Sequence, residues 1–282
     1  MNRAETLRAL EAAGLRRVMP DLEQLVQDSI RLDSQLAGAP LLAGASKLGG
    51  LPDLPAGPAW PGMGGGPMAF VAQIRLEEVA PLAPAGWLPL TGLLSFFYDQ
   101  RQETYGASPS DRGGWKVIYL AGGPGDWRPR PFPGGLMQAA RFTACALAPR
   151  VEATLPSSPP EALAGLDWSD DEIRRYEDFL ATYPNPRDHA VPHHRMFGHP
   201  EQIQDDMQLQ SALYANGFTD LGDPSAGRFL ARKAEWKLLL QVDSDDKAGM
   251  RWASSGRLYF WIEHGALLSR AFERAWVVLQ SD

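Results

Sequence analysis

Trp236–Val242 (WKLLLQV), Gly256–Ile262 (GRLYFWI) and Ala275–Gln280 (AWVVLQ) decide the reading of this chain. Each segment is short, rich in aromatic and β-branched residues, and bounded by turn or polar residues, which is the pattern of a buried strand. Three earlier segments follow the same order: Met68–Ile74 (MAFVAQI), Gly92–Tyr98 (GLLSFFY) and Trp115–Leu120 (WKVIYL). Gln73 and Gln241 take equivalent places, and Gly92 and Gly256 each open the second segment. Gly92 follows Gln73 by 19 residues, and Gly256 follows Gln241 by 15. The match predicts an internally duplicated β unit, with halves at about 68–150 and 232–282, packed around a shared core. The expected fold class is α+β, with antiparallel-rich sheets, N-terminal helices and peripheral helices.

Helical spacing appears outside these segments. Residues 4–36 read as a helical arm over 1–38, with Leu22, Leu25, Val26, Ile30 and Leu36 on one face, Asp21 near its positive end and Gly38 as its stop. WSDDEIRRYEDFLA (168–181) reads as a surface helix with Ser169 as N-cap and an acidic first turn. Glu263–Glu273 reads as a short helix, Thr143–Ala148 as a further strand, and Arg150–Leu166 as connection. The body of the fold is expected over 39–282.

Glycine and proline number 28 and 24, and 33 of these 52 lie in residues 38–135. An apolar share of 44% and an aromatic share of 10% exclude a disordered chain, and no fixed glycine period exists for a collagen-like one. Residues 38–68 therefore read as a long loop pinned to a surface by Leu48, Leu51, Leu54 and Trp60.

The net charge, 27 − 34 = −7, argues against general nucleic-acid binding and suits a basic protein partner. Cys145, the single cysteine, reads as a packed thiol in a reducing compartment. No secretory signal pattern opens the chain, so a cytoplasmic location is expected. Val79–Tyr98 lacks charge but is broken by Pro81, Pro84, Gly86, Pro89 and Gly92, which argues against a membrane span.

Four of five histidines, His189, His193, His194 and His199, fall in eleven residues, with Glu201, Asp205 and Asp206 following. Imidazoles and carboxylates could hold a metal or line a ligand surface, but HExxH spacing is missing and Pro192 and Pro200 interrupt any helix. VDSDDKAG starts like a calcium loop and then fails, with Gly249 one place late and Ser254 where glutamate belongs, so it reads as an acidic turn. MGGGP (63–67) precedes a strand and lacks GxGxxG and GK[ST], so no nucleotide cofactor is expected. Trp60 and Trp127 fall in loops, where an aromatic can anchor a partner.

SKLGGLPDLPAGPAWP, PMAFVAQIRLEEV, HRMFGHPEQIQDDM and WKLLLQVDSDDKAGMRWASSGRLYFWI, in that order, resemble the YwqG-like family over about residues 40–282. The resemblance implies a bacterial α+β protein without agreed catalytic residues. Members often carry Gly-Asp after the tryptophan of the last motif, where this chain has Ala253-Ser254. Relatives near secreted-toxin genes imply an immunity role. The leading expectation is a non-catalytic cytoplasmic protein that binds a basic or toxin-like partner through a surface containing Trp60, Trp127, His193, His194, His199, Asp205 and Asp206. The alternative is a metal-dependent hydrolase or a small-ligand-binding protein using residues 189–206.

Overall fold

The structure, a computed structural model, describes residues 1–57, 59–157, 163–183, 191–220 and 222–281. Ten strands form one sheet: β1 (Gln27–Leu36), β2 (Lys47–Leu48), β3 (Ala69–Arg75), β4 (Leu93–Tyr98), β5 (Trp115–Leu120), β6 (Cys145–Thr154), β7 (Arg195–Met196), β8 (Trp236–Asp243), β9 (Arg257–Glu263) and β10 (Trp276–Gln280). Their spatial order is β10-β9-β8-β7-β1-β6-β2-β3-β4-β5, with every pairing antiparallel. Seven α-helices surround the sheet among the described residues: α1 (Arg3–Ala12), α2 (Met19–Leu25), α3 (Leu76–Val79), α4 (Asp170–Leu180), α5 (Met207–Tyr214), α6 (Gly227–Leu230) and α7 (His264–Leu268). The fold is α+β, as the sequence pattern predicts.

The helical arm expected over residues 4–36 is corrected. The second helix stops at Leu25, and Gln27–Leu36 is a strand at the centre of the sheet. Ile30 and Leu32 enter the core while Arg31 faces the other way, so the working period is 2. Ten consecutive cross-strand pairs, from Gln27↔Thr154 to Leu36↔Cys145, outweigh the helical spacing of the leucines. The same ladder carries β6 on to Thr154, well beyond the strand expected at 143–148.

The meanders β3-β4-β5 and β8-β9-β10 occupy opposite ends of the sheet. Each has an irregular register in its first pairing, at Phe70/Ala72 and at Leu238/Leu240. Gly92 and Gly256 each sit against the carbonyl of the residue ending the third strand, Leu120 and Gln280, where a Cβ would collide. Although six strands separate β4 from β9, the Phe96 and Phe260 rings meet edge to face at 5.0 Å. The sheet therefore curls, and both meanders close over one core. Its two edges meet where Trp115 and Trp276 pack at 4.8 Å. The indoles donate across the seam, Trp115 Nε1 to the Ala275 carbonyl at 2.8 Å and Trp276 Nε1 to the Gly106 carbonyl at 3.0 Å. Leu279 N donates to the Tyr105 carbonyl at 3.0 Å, so the edge strand β10 is partly covered.

Both faces of β4 are buried, which explains why its residues are apolar apart from the buried Ser95. Its outer face, with Phe70, Phe97, Ile118 and Leu120, lies under Leu54, Trp60 and Met68 of the Gly/Pro-rich loop. A separate apolar cluster joins α1, α2 and α4 to the end of β6 through Leu10, Leu22, Trp168, Tyr176, Ala153 and Leu155. The capping box expected at Ser169 forms with Glu172.

Gly106 has a φ of +74°, and a Cβ there would overlap the Val277 carbonyl. Gly106→Ala should therefore cost at least about 2 kcal/mol, read as a lower urea midpoint with an unchanged slope.

Candidate functional site

Two glutamines fix two similar turns. Gln73 on β3 faces Lys47 of β2, and Gln241 on β8 faces Arg195 of β7. Gln73 Nε2 donates to the Ala45 carbonyl at 2.9 Å, and its Oε1 accepts from Asp53 N at 2.9 Å. Gln241 Nε2 donates to the His193 carbonyl at 2.7 Å, and its Oε1 accepts from Glu201 N at 2.9 Å. In each case the amide spans a residue two before the cation and a carboxylate six after it. Each cation then pairs with that carboxylate, Lys47 with Asp53 at 2.9 Å and Arg195 with Glu201 at 2.8 Å. Both turns contain two consecutive left-handed residues, Gly49-Gly50 and Phe197-Gly198.

Their surroundings differ. Lys47, Asp53 and Gln73 are all buried, and Asp53 is bonded by Lys47, Gln73 and the Gly44 amide. Arg195 instead joins a wider charge network on the outer face of the central strands. Arg195 lies 3.3 Å from Glu152, which lies 3.6 Å from Arg31. Glu201 also meets Arg257 at 3.2 Å and bonds to the His193 ring, and Arg257 reaches Asp243 at 3.2 Å. Arg31 and Glu152 are each only 2% exposed. Desolvation acts to raise the Glu201 pKa, but Arg195, His193 and Arg257 outweigh it and hold the carboxyl at about 2. Burial lowers the Arg31 pKa in spite of the acids around it.

The network opens into two cavities. One, of about 450 Å³, is lined by Glu152, Thr154, Tyr183, His193, Arg195 and Glu201 on its polar side, and by Ala153, Leu155, Leu180 and Ala181 on its apolar side. The other, of about 520 Å³, is bordered by Asp243, Lys247, Arg251 and Arg257. His193 and Glu201 line both and so stand between them. Tyr183 is anchored at the first cavity by donating to the Ala153 carbonyl at 2.6 Å.

A family model described as a domain of unknown function, DUF1963, matches residues 46–281, from the first glutamine-held turn to the last strand. The chain belongs to the DUF1963 family. No curated protein matches it.

In this DUF1963 protein the sequence-selected side chains are dispersed. Trp127 is 1% exposed and packs beside Gly44, so it presents no loop anchor at the surface. Trp60 is half-buried, meets Phe97 and Phe132 edge to face, and donates to the Met68 carbonyl at 2.9 Å. His194 is fully buried: its Nδ1 accepts from Asp243 N at 3.1 Å, and its Nε2 faces Asp245 at 3.2 Å. With both nitrogens engaged and its pKa lowered by burial, it is a structural, neutral imidazole. His199 bonds to the Leu25 carbonyl at 2.7 Å. Asp206 caps α5 and pairs with Lys233, and Asp205 is exposed. His189 lies outside the described residues. Among the described residues, no group of three or more His, Cys, Asp or Glu side chains is placed to hold a metal ion, and no helix is long and apolar enough to cross a membrane. The acidic turn expected at VDSDDKAG forms, closed by a bridge between Asp245 and Met250.

Of the residues singled out from sequence, His193 and Glu201 line the cavity of about 450 Å³. Arg195, Glu152 and Tyr183 were not singled out from sequence. A usable signal existed: SKLGGLPD (46–53) and HRMFGHPE (194–201) align position by position on their cation, left-handed turn, proline and acid.

Gln241→Leu leaves the His193 carbonyl and the Glu201 amide without their partner and should cost about 2–4 kcal/mol in urea unfolding. Burial holds the His199 pKa down to about 4, against an ordinary 6.5, so the native state resists protonation there. That stability is present above pH 6.5 and is lost as pH falls towards 4. The urea midpoint should drop across this window, and His199→Gln should drop less steeply.

Proposed function

We propose that this protein binds a small ligand, without covalent chemistry, in the cavity of about 450 Å³ beside Arg195 and Glu201. The observation that carries this reading is the contrast between the two glutamine-held turns. The first is completed by one sealed ion pair. The second adds Arg31, Glu152, His193, Asp243 and Arg257, which a turn of this shape does not require. Buried charge is costly, and removing water from it contributes nothing to stability by itself. Its placement along a cavity supports recognition as its role. Cys145 is fully buried and its thiol pKa is raised by burial, which fits packing rather than nucleophilic attack.

The matched turns, the paired register irregularities and the two meanders also support reading the chain as an internal duplication. The four quoted motifs support the finer placement as YwqG-like. A protein-binding role rests on the acidic balance and the aromatic-bearing loops, with immunity implied by the family resemblance; of the loop tryptophans, Trp127 is buried, which supports the cavity reading instead.

A thermal-shift screen against a metabolite library tests the reading. A true ligand at 100 times its Kd should raise Tm by about 5–10 °C. Ala181→Trp, at the exposed end of α4 on the cavity wall, should leave the unliganded Tm unchanged and abolish that shift. A library with no binder, or a shift that survives the tryptophan, would sink the proposal.

A further inference from the structure

Resting on the ligand-binding reading above, we infer that the ligand is a small zwitterion with an apolar body, the chemistry of a free apolar amino acid or a dipeptide. Among the described residues, the arginines and carboxylates of the buried network are equal in number. Arg31, Arg195 and Arg257 stand against Glu152, Glu201 and Asp243, and the outlying pair Arg150–Asp33 at 2.6 Å adds one of each sign. A ligand with net charge would leave that charge uncompensated inside a desolvated site, which is heavily penalised. A zwitterion brings two opposite charges and no net one.

The site also presents both signs side by side. Glu152 Oε2 and Arg195 Nη2 approach to 3.3 Å, yet neither Glu152 Oε2 nor Arg195 Nε has a hydrogen-bond partner. Both side chains are more than nine-tenths buried and both line the cavity. Buried charged groups in this condition call for an explanation, and a charged ligand in the cavity supplies one. An ammonium suits Glu152, and a carboxylate suits the guanidinium of Arg195. Glu201 is already committed to Arg195, Arg257 and His193. Glu177 is exposed at the rim, where solvent screens it.

The apolar part of the lining, Leu155, Leu180 and Ala181, suits an apolar side chain. A volume of about 450 Å³ lies near the lower end of ligand pockets and suits one or two amino-acid residues.

Calorimetric titration of the wild-type protein with four probes tests the inference: L-leucine, L-leucyl-L-leucine, 4-methylpentanoate and 3-methylbutylamine. The last two keep the apolar body and carry one charge each. At least one zwitterion should bind tenfold or more tightly than either singly charged probe, and Ala181→Trp should abolish its binding. A singly charged probe that binds as tightly as the zwitterions overturns the inference and leaves the cavity reading standing. Four silent titrations also overturn it, and the library screen then decides the cavity separately. Zwitterion binding that survives Ala181→Trp lies outside the cavity and overturns the inference too.

Discussion

The ten-residue antiparallel ladder between β1 and β6 holds the two ends of the molecule together. On its flanks, β7 and β2 contribute only two residues each, yet they connect the ladder to a three-stranded meander on either side. Without the ladder the meanders would have no common frame, and Phe96 could not reach Phe260. The ladder has a second consequence. Ser29 pairs with Glu152 and Arg31 with Arg150, so its outer face carries charge while Ile30 and Leu32 enter the core. The charged cavity therefore sits at the mechanical centre of the sheet.

The short strands β2 and β7 are too brief to hold their own register by backbone bonds. Gln73 and Gln241 supply what is missing, each spanning the turn that follows with two amide bonds. The lysine–aspartate version is closed off from water, whereas the arginine–glutamate version has longer side chains that reach a wider network. One local geometry thus supports two environments, a sealed latch and an open polar site.

The outer face of each meander needs cover. On the second, Met207 and Gln208 of α5 share a crevice with Trp261. On the first, the Gly/Pro-rich loop does the same work with Leu54, Trp60 and Met68. The excess of glycine and proline in residues 38–135 is then a consequence of covering a sheet with irregular chain, which needs left-handed residues and fixed φ values in place of helical repeats.

The sequence by itself determined the six meander strands, the helix capped by Ser169 and the buried state of Cys145, because each is written in local periodicity, capping or composition. Gly92 and Gly256 were also legible as openings of strands, and their reason is the approach of the Leu120 and Gln280 carbonyls. Tertiary structure alone decided the fate of residues 27–36, where leucines at helical spacing were drawn into a strand by pairing with a partner more than 100 residues away. It alone decided the site as well. Arg31, Glu152, Arg195 and Arg257 lie far apart in sequence, while the clustered histidines point to different partners once the chain folds. Charge networks form from cross-strand register, and register over long separations is set by the burial of the whole sheet rather than by any short stretch of residues.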